Sequence, residues 1–164
     1  MVFHMKDIMH KAALAIPLDD RSRHLRKMAV KTLESGKRAH LGSAMSIMEI
    51  IRVLYDDFLI INPANPKELN RDRFILSKGH AGAACYAALA ETGFFNVEYL
   101  KQHYQDGSKL SGHVSHKGIP GVELSTGSLG HGLPIAIGMA MARKRLGRLG
   151  RSGRAGGPGR AGHR

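Results

Sequence analysis

Apolar residues recur at helical spacing through the first part of the chain, then give way to glycine-punctuated stretches with no period. Residues 6–16 (KDIMHKAALAI) are weakly amphipathic and stop before Pro17. A second helix is predicted from Asp19 or Asp20, either of which can cap it, to a stop at Ser35–Gly36. Leu25, Met28, Ala29, Thr32 and Leu33 share one of its faces, and the charged residues opposite read as solvated surface. A third helix is predicted from near Ser43 to residue 57. Met45, Ile47, Met48, Ile50, Ile51, Val53, Leu54 and Tyr55 make it apolar on more than one face, which calls for burial or a subunit contact.

Asn62-Pro63 and Asn65-Pro66 then mark a loop. The run Arg73–Ser77 reads as a short buried parallel strand, and Lys78-Gly79-His80-Ala81-Gly82 turns it into a helix over Ala83–Glu91. Strand, glycine turn, helix is the arrangement in which α/β sheets place ligand groups at strand ends, so an α/β class is expected. Thr92-Gly93 closes that helix, and Asn96 caps a short one over Val97–Tyr104 with Tyr99, Leu100 and His103 facing inward. Residues 105–125 have no helical or strand period, and loops this long in compact domains are often functional. The stretch Pro120–Ala142 (PGVELSTGSLGHGLPIAIGMAMA) follows: a turn with Gly121, Gly127, Gly130 and Gly132, then a helix whose Ala136, Gly138, Ala140 and Ala142 permit close packing.

Candidate chemistry lies in these glycine turns. Around Gly127 the backbone N–H groups can face a ligand, with hydroxyls from Ser125, Thr126 and Ser128 at hand, although a tight structural turn has the same composition. His40, His80 and His113 all sit in glycine-adjacent loops between elements. Individually His40 reads as a surface or capping residue and His103 as packing or surface, whereas His80 follows a strand and is a candidate ligand contact. No histidine pair has the short helical spacing of a zinc motif, and His113-x-x-His116 in a loop points only weakly to metal.

Composition narrows the setting. At 164 residues the chain can enclose one core, and its single cysteine, Cys85, excludes a disulfide framework and a multi-cysteine zinc site. No apolar run approaches the ~20 residues of a membrane span. The N-terminal MVFHMKDIMH lacks the pattern of a signal peptide, so a cytoplasmic location is expected. The net charge of +12 raises the question of nucleic acid, but half of it comes from six arginines in residues 145–164, among seven glycines and no acid. That segment is expected to be a disordered tail to a domain spanning 1–144. The body carries no interleaved basic and aromatic face, and nucleic acid is not an expected partner.

Four motifs in order, HLGSAMS, RDRFILSKGHA, LSGHVS and PGVELSTGSLGHGLPIAIGMAMA, strongly resemble the thiamine diphosphate-binding N-terminal half of transketolases. The likeness is to the form of the enzyme split into two subunits, and it covers about residues 20–145. It implies a transferase that moves a two-carbon ketol unit between sugar phosphates with thiamine diphosphate and Mg²⁺ or Ca²⁺. It further implies that His40 and His113 contact donor-sugar hydroxyls and assist proton transfer, and that His80 approaches the diphosphate. Gly127, Ser128 and Leu129 would then line the aminopyrimidine. The implied partners are sugar phosphates together with a transketolase C-terminal subunit, in a dimer-based homo- or hetero-oligomer. His131 stands where many single-chain relatives have Gln, and Leu41 where Pro is common.

The end of the sequence departs from the family. In transketolases the helix after this glycine turn leads to a strand and a Gly-Asp-Gly motif that, with a later Asn, holds the metal. The sequence contains no Gly-Asp-Gly, and past Met141 it runs into RKRLGRLGRSGRAGGPGRAGHR. The expectation is a frameshift or premature termination after about residue 143, with no metal ligand of its own. The fold expected is a partial thiamine diphosphate-binding fold, three layers with helices around a parallel sheet, incomplete at the C-terminus. Helices 43–57 and 132–142 would lack their sheet partner, favouring aggregation or dependence on another chain. The acid that activates the aminopyrimidine belongs to the other half in this family, so the chain alone is expected to be inactive. Two alternatives are a non-enzymatic basic fragment binding polyanions or a partner subunit, and another thiamine diphosphate enzyme of the deoxyxylulose-phosphate synthase type. The wording SKGHAGAACYAAL and STGSLGHG favours transketolase.

Overall fold

The computed structural model describes residues 18–37 and 40–151, with side chains described as far as residue 145. The helix predicted over 6–16 and residues 152–164 of the predicted tail lie outside the described residues.

Helix α1 spans Asp20–Ser35 as its pattern requires. The Asp19 carboxylate accepts from the Ser22 N–H at 2.6 Å, and Gly36 ends the helix with its N–H turned back on the Thr32 and Glu34 carbonyls. The predicted face is the buried one: Leu25, Met28, Ala29, Thr32 and Leu33 all enter the core. They pack on α4, Gly82–Thr92, which is buried on all sides along Gly82–Ala90. Its alanines at 83, 84, 87, 88 and 90 are what let neighbouring backbones come close. Gly93 terminates α4 in the left-handed region, at φ 95°. Asn96 caps the short 3₁₀ helix Val97–Gln102 by accepting from the Glu98 N–H, and Leu100 and His103 are buried beneath it.

The third predicted helix forms as three pieces. Helix α2 covers Leu41–Met45 and α3 covers Met48–Val53, and a π-helical turn carries on over Leu54–Phe58. Ser46 causes the first break: its hydroxyl donates to the Ser43 carbonyl at 2.9 Å, and Ile47 leaves helical geometry at φ −121°. Burial is also more one-sided than its composition suggests, since Met48, Ile51 and Tyr55 are buried but Ile50 and Phe58 are exposed. The π turn aims Asp56 at Arg21, which reaches it at 2.9 Å and Glu91 at 2.5 Å. One guanidinium thereby ties α1, the π turn and α4 together.

No β-strand occurs among the described residues, so the α/β class expected from the sequence rests on the run Arg73–Ser77 alone. That run has no ladder partner there. Its carbonyl at Leu76 instead accepts the Thr126 hydroxyl at 2.6 Å. A strand is a property of a pair, and an apolar run flanked by turns cannot disclose whether a neighbour lies beside it.

Helix α5 spans Gly132–Arg151 and is longer than the 132–142 expected. It crosses the predicted boundary at 145, because Arg, Lys and Leu in residues 143–149 are good helix formers and cations suit a helix C-terminal end. Its first residue lies tight against the 74–77 run, where a Cβ on Gly132 would stand 2.8 Å from Ser77 Cα. Most of its apolar side chains are exposed, including Leu133, Ile137 and Met141. None of the helices of the described residues is long and apolar enough to cross a membrane.

Candidate functional site: a three-histidine cluster under a glycine turn

Three loops deliver the site. His40 stands at the N-terminal end of α2 with φ 75° and makes no side-chain capping hydrogen bond. A left-handed conformation costs a residue with a side chain about 1 kcal/mol, and such outliers concentrate where a side chain is needed at a given spot. His80 lies in the 3₁₀ turn Gly79–Ala81 that runs directly into α4. His113 belongs to the irregular 105–125 segment, pinned by the buried anchors Leu110, Val114 and Ile119.

The rings converge. Centroids are 4.8 Å apart for His40–His80, 5.4 Å for His40–His113 and 4.5 Å for His80–His113. His80 Nδ1 and His113 Nε2 are both buried without a hydrogen-bond partner. Burial, and next the His80 and His40 imidazoles, hold the His113 pKa below the ordinary histidine value. His113 is therefore neutral at pH 7 and able to accept a proton. His40 and His113 also line a cleft of about 390 Å³ with Leu33, Lys37, His103, Tyr104 and Gly112. A second cavity, bounded by Lys67, Arg71, His116 and Glu123 among others, contains none of the three histidines.

Two buried groups hold the loops in place: Tyr86, which does not stand out in the sequence, and Thr126, which the sequence offers only as one of three hydroxyls in the glycine turn. The Tyr86 phenol, on the core helix α4, donates to the His113 carbonyl and accepts from the Ser115 N–H, each at 3.1 Å. Burial pushes its pKa up to about 12, so it stays a donor. Thr126 is buried too. Its hydroxyl holds the Leu76 carbonyl and its N–H donates to the Val114 carbonyl at 3.2 Å, so the glycine turn is fastened to the loops of both His80 and His113. Gly79 must be glycine for this closeness, because a Cβ there would collide with the Thr126 carbonyl oxygen.

The glycine turn itself follows. A Cβ on Gly127 would stand 4.0 Å from the His113 ring, an ordinary contact, so the glycine turn lies directly beside that imidazole. Ser128 and Leu129 are exposed on the turn, and the Ser128 carbonyl lies 2.6 Å from His131 Nδ1. His116 joins the support of the loop: its Nδ1 pairs with the Ser125 hydroxyl at 2.8 Å. His103, read as packing or surface, is completely buried against Tyr86 and beneath Gly36.

Comparison with known proteins bears on this arrangement. Residues 19–154 match a family model described as "Transketolase, thiamine diphosphate binding domain". The chain is 41% identical over 127 residues to one subunit of the apulose-4-phosphate transketolase of Phocaeicola vulgatus, a match covering 77% of this chain and 45% of that protein. It is 45% identical over 123 residues to the transketolase of Aquifex aeolicus, covering 74% and 18% respectively. Among solved structures, the transketolase from Leishmania mexicana superimposes with a TM-score of 0.73 at 36% identity, over 76% of this chain and 19% of that one. The chain thus spans less than half the length of these relatives.

Proposed function

The chain belongs to the transketolase family through its thiamine diphosphate-binding domain, and on that premise we propose that it is the diphosphate-side half of a two-chain transketolase. The transferred group is a two-carbon ketol unit passing between sugar phosphates. The observation that carries this reading is the convergence of His40, His80 and His113 on one space beside the Gly127 turn.

The residues present fit the cofactor. Two buried imidazole nitrogens lack partners, and the Gly127 turn lies beside the His113 ring. His80 lies at the N-terminal end of α4, whose first turn holds no acid, and a helix dipole favours an anion there. We assign His80 to the diphosphate and Gly127, Ser128 and Leu129 to the wall of the aminopyrimidine. When bound, thiamine diphosphate supplies the electron sink for the carbanion of the transferred unit. His113 and His40 are the catalytic residues: they orient donor-sugar hydroxyls and take up or return their protons, His113 as a neutral imidazole. Tyr86 and Thr126 keep these rings in register.

The donors for a hard cation do not fit. Mg²⁺ and Ca²⁺ take oxygen ligands, and among the described residues no group of three or more carboxylates converges. No step is assigned to such a metal. A second chain is expected to complete the site, in keeping with the several relatives whose names describe them as transketolase subunits. Alone the chain is inactive in this reading, and its place is the cytoplasm.

A transfer assay between a ketose phosphate donor and an aldose phosphate acceptor tests the proposal. The chain alone should not turn over; mixed with a matching C-terminal subunit and supplied with the Gly-Asp-Gly segment that follows this helix in the family, it should, and in that mixture His113→Ala should cost about 10²–10⁴-fold in kcat. An inactive mixture, or a His113→Ala variant as fast as the parent, would refute it.

A further inference from the structure

We propose that His40, His80 and His113 together form a site for a borderline-soft divalent transition metal, zinc being the best fit, distinct from any Mg²⁺ or Ca²⁺ that accompanies a diphosphate. One nitrogen from each ring lies within 4.8 Å of the other two, and among the described residues this is where three or more metal-ligating side chains converge. Tetrahedral zinc with nitrogen ligands at about 2.0–2.1 Å places those nitrogens roughly 3.4 Å apart. At most about 1.4 Å therefore separates the nitrogens from that spacing.

The nitrogens are available. His80 Nδ1 and His113 Nε2 are buried and have no hydrogen-bond partner, so binding a metal would satisfy two groups that the fold otherwise leaves unpaired. The donor set also fixes the kind of ion. Three imidazoles with no carboxylate suit zinc, cobalt, nickel or copper and disfavour hard, oxygen-seeking cations. Three protein ligands leave the fourth position open for water or an anionic group, as in zinc sites that exchange ligands rather than closed structural ones. The remaining histidines of the described residues are engaged elsewhere. His24 pairs with Glu91, His116 with Ser125, and His131 with the Ser128 carbonyl, while His103 is enclosed in the core.

Metal affinity is a property of the chain itself and does not rest on the sugar-transfer reading. A consequence does: if the same nitrogens serve the cofactor, zinc and thiamine diphosphate exclude each other.

The test is titration of the full, untagged, metal-free chain with Co²⁺ and Zn²⁺, using a competing chromophoric chelator for affinity. One equivalent should bind, Co²⁺ should show the intense visible absorption of a four-coordinate site, and millimolar Mg²⁺ should not displace it. His40→Asn keeps a residue that tolerates the left-handed backbone and so preserves the fold. It should weaken binding by more than the ~10–100-fold that loss of an outer partner costs. His80→Gln should do the same. Absence of a stoichiometric site in the parent, or affinity unchanged in His40→Asn, would overturn the proposal. Zinc binding that persists alongside bound thiamine diphosphate would count against the functional reading and leave the metal site standing.

Discussion

Tyr86 joins the core to the site at the scale of a single residue. Its hydroxyl bridges the His113 carbonyl and the Ser115 N–H from a helix that cannot move without disturbing the core. Tyr86→Phe keeps the ring and removes both bonds. It should lower unfolding free energy by about 1–3 kcal/mol in urea titration. It should also reduce kcat of the reconstituted enzyme while leaving cofactor affinity at His80 nearly unchanged. A second consequence concerns pH. Burial lowers the pKa of His103, opposed only in part by the nearby Thr32 and Ser111 backbone, and lowers that of His113 for the reasons given above. Both groups then bind protons more readily unfolded than folded. Their neutral forms are accommodated at full stability above the unfolded value of 6.5, and stability falls as pH drops below it toward the depressed folded values. Urea midpoints should decline from pH 7.5 to 5.5, and His103→Phe should flatten that decline. The candidate histidines were legible in the sequence as a set, through their glycine-flanked loops. The inward placement of His103 was legible as well, but its complete burial was not, because a short 3₁₀ helix carries too little periodicity to say how deep its inner face lies.

Elements meet at the site through two small contacts rather than a large surface. Gly79 lies against the Thr126 carbonyl, and the Thr126 hydroxyl holds Leu76. The turn before α4 and the turn before α5 therefore share one joint. Gly79→Ala should force that joint apart, costing about 1–3 kcal/mol. It should weaken thiamine diphosphate binding more than any comparable substitution at Gly107, whose added Cβ meets nothing within 4 Å. Calorimetry on both variants separates the two cases, Gly107→Asn serving as a control that tolerates positive φ. Helices α1 and α4 were readable in advance because their caps, Asp19 and Gly93, are local signals. The break at Ser46 was less so: a serine hydroxyl choosing a backbone carbonyl looks in sequence like any polar position within an apolar helix. The strand at Arg73–Ser77 could not be decided from sequence, since pairing depends on what lies beside it.

At the scale of the whole molecule, the described residues combine a dense helical core with apolar side chains that none of them covers. Leu129, Leu133, Ile137 and Met141 stand exposed along α5 and its turn, and Ile50, Phe58, Ile60 and Leu69 are exposed elsewhere. Patches of this kind mark contact with another chain, as the proposed two-chain assembly requires. On the proposed function, His40, His80 and His113 face thiamine diphosphate and the donor sugar. The most direct measurement is calorimetric binding of thiamine diphosphate, with Mg²⁺, to the chain assembled with its C-terminal subunit, parent against His80→Gln. The proposed function predicts saturable binding by the parent and a loss of about tenfold or more in His80→Gln, the value of one charge-assisted hydrogen bond. Equal affinity in the two proteins, or no binding by the parent assembly, would contradict it.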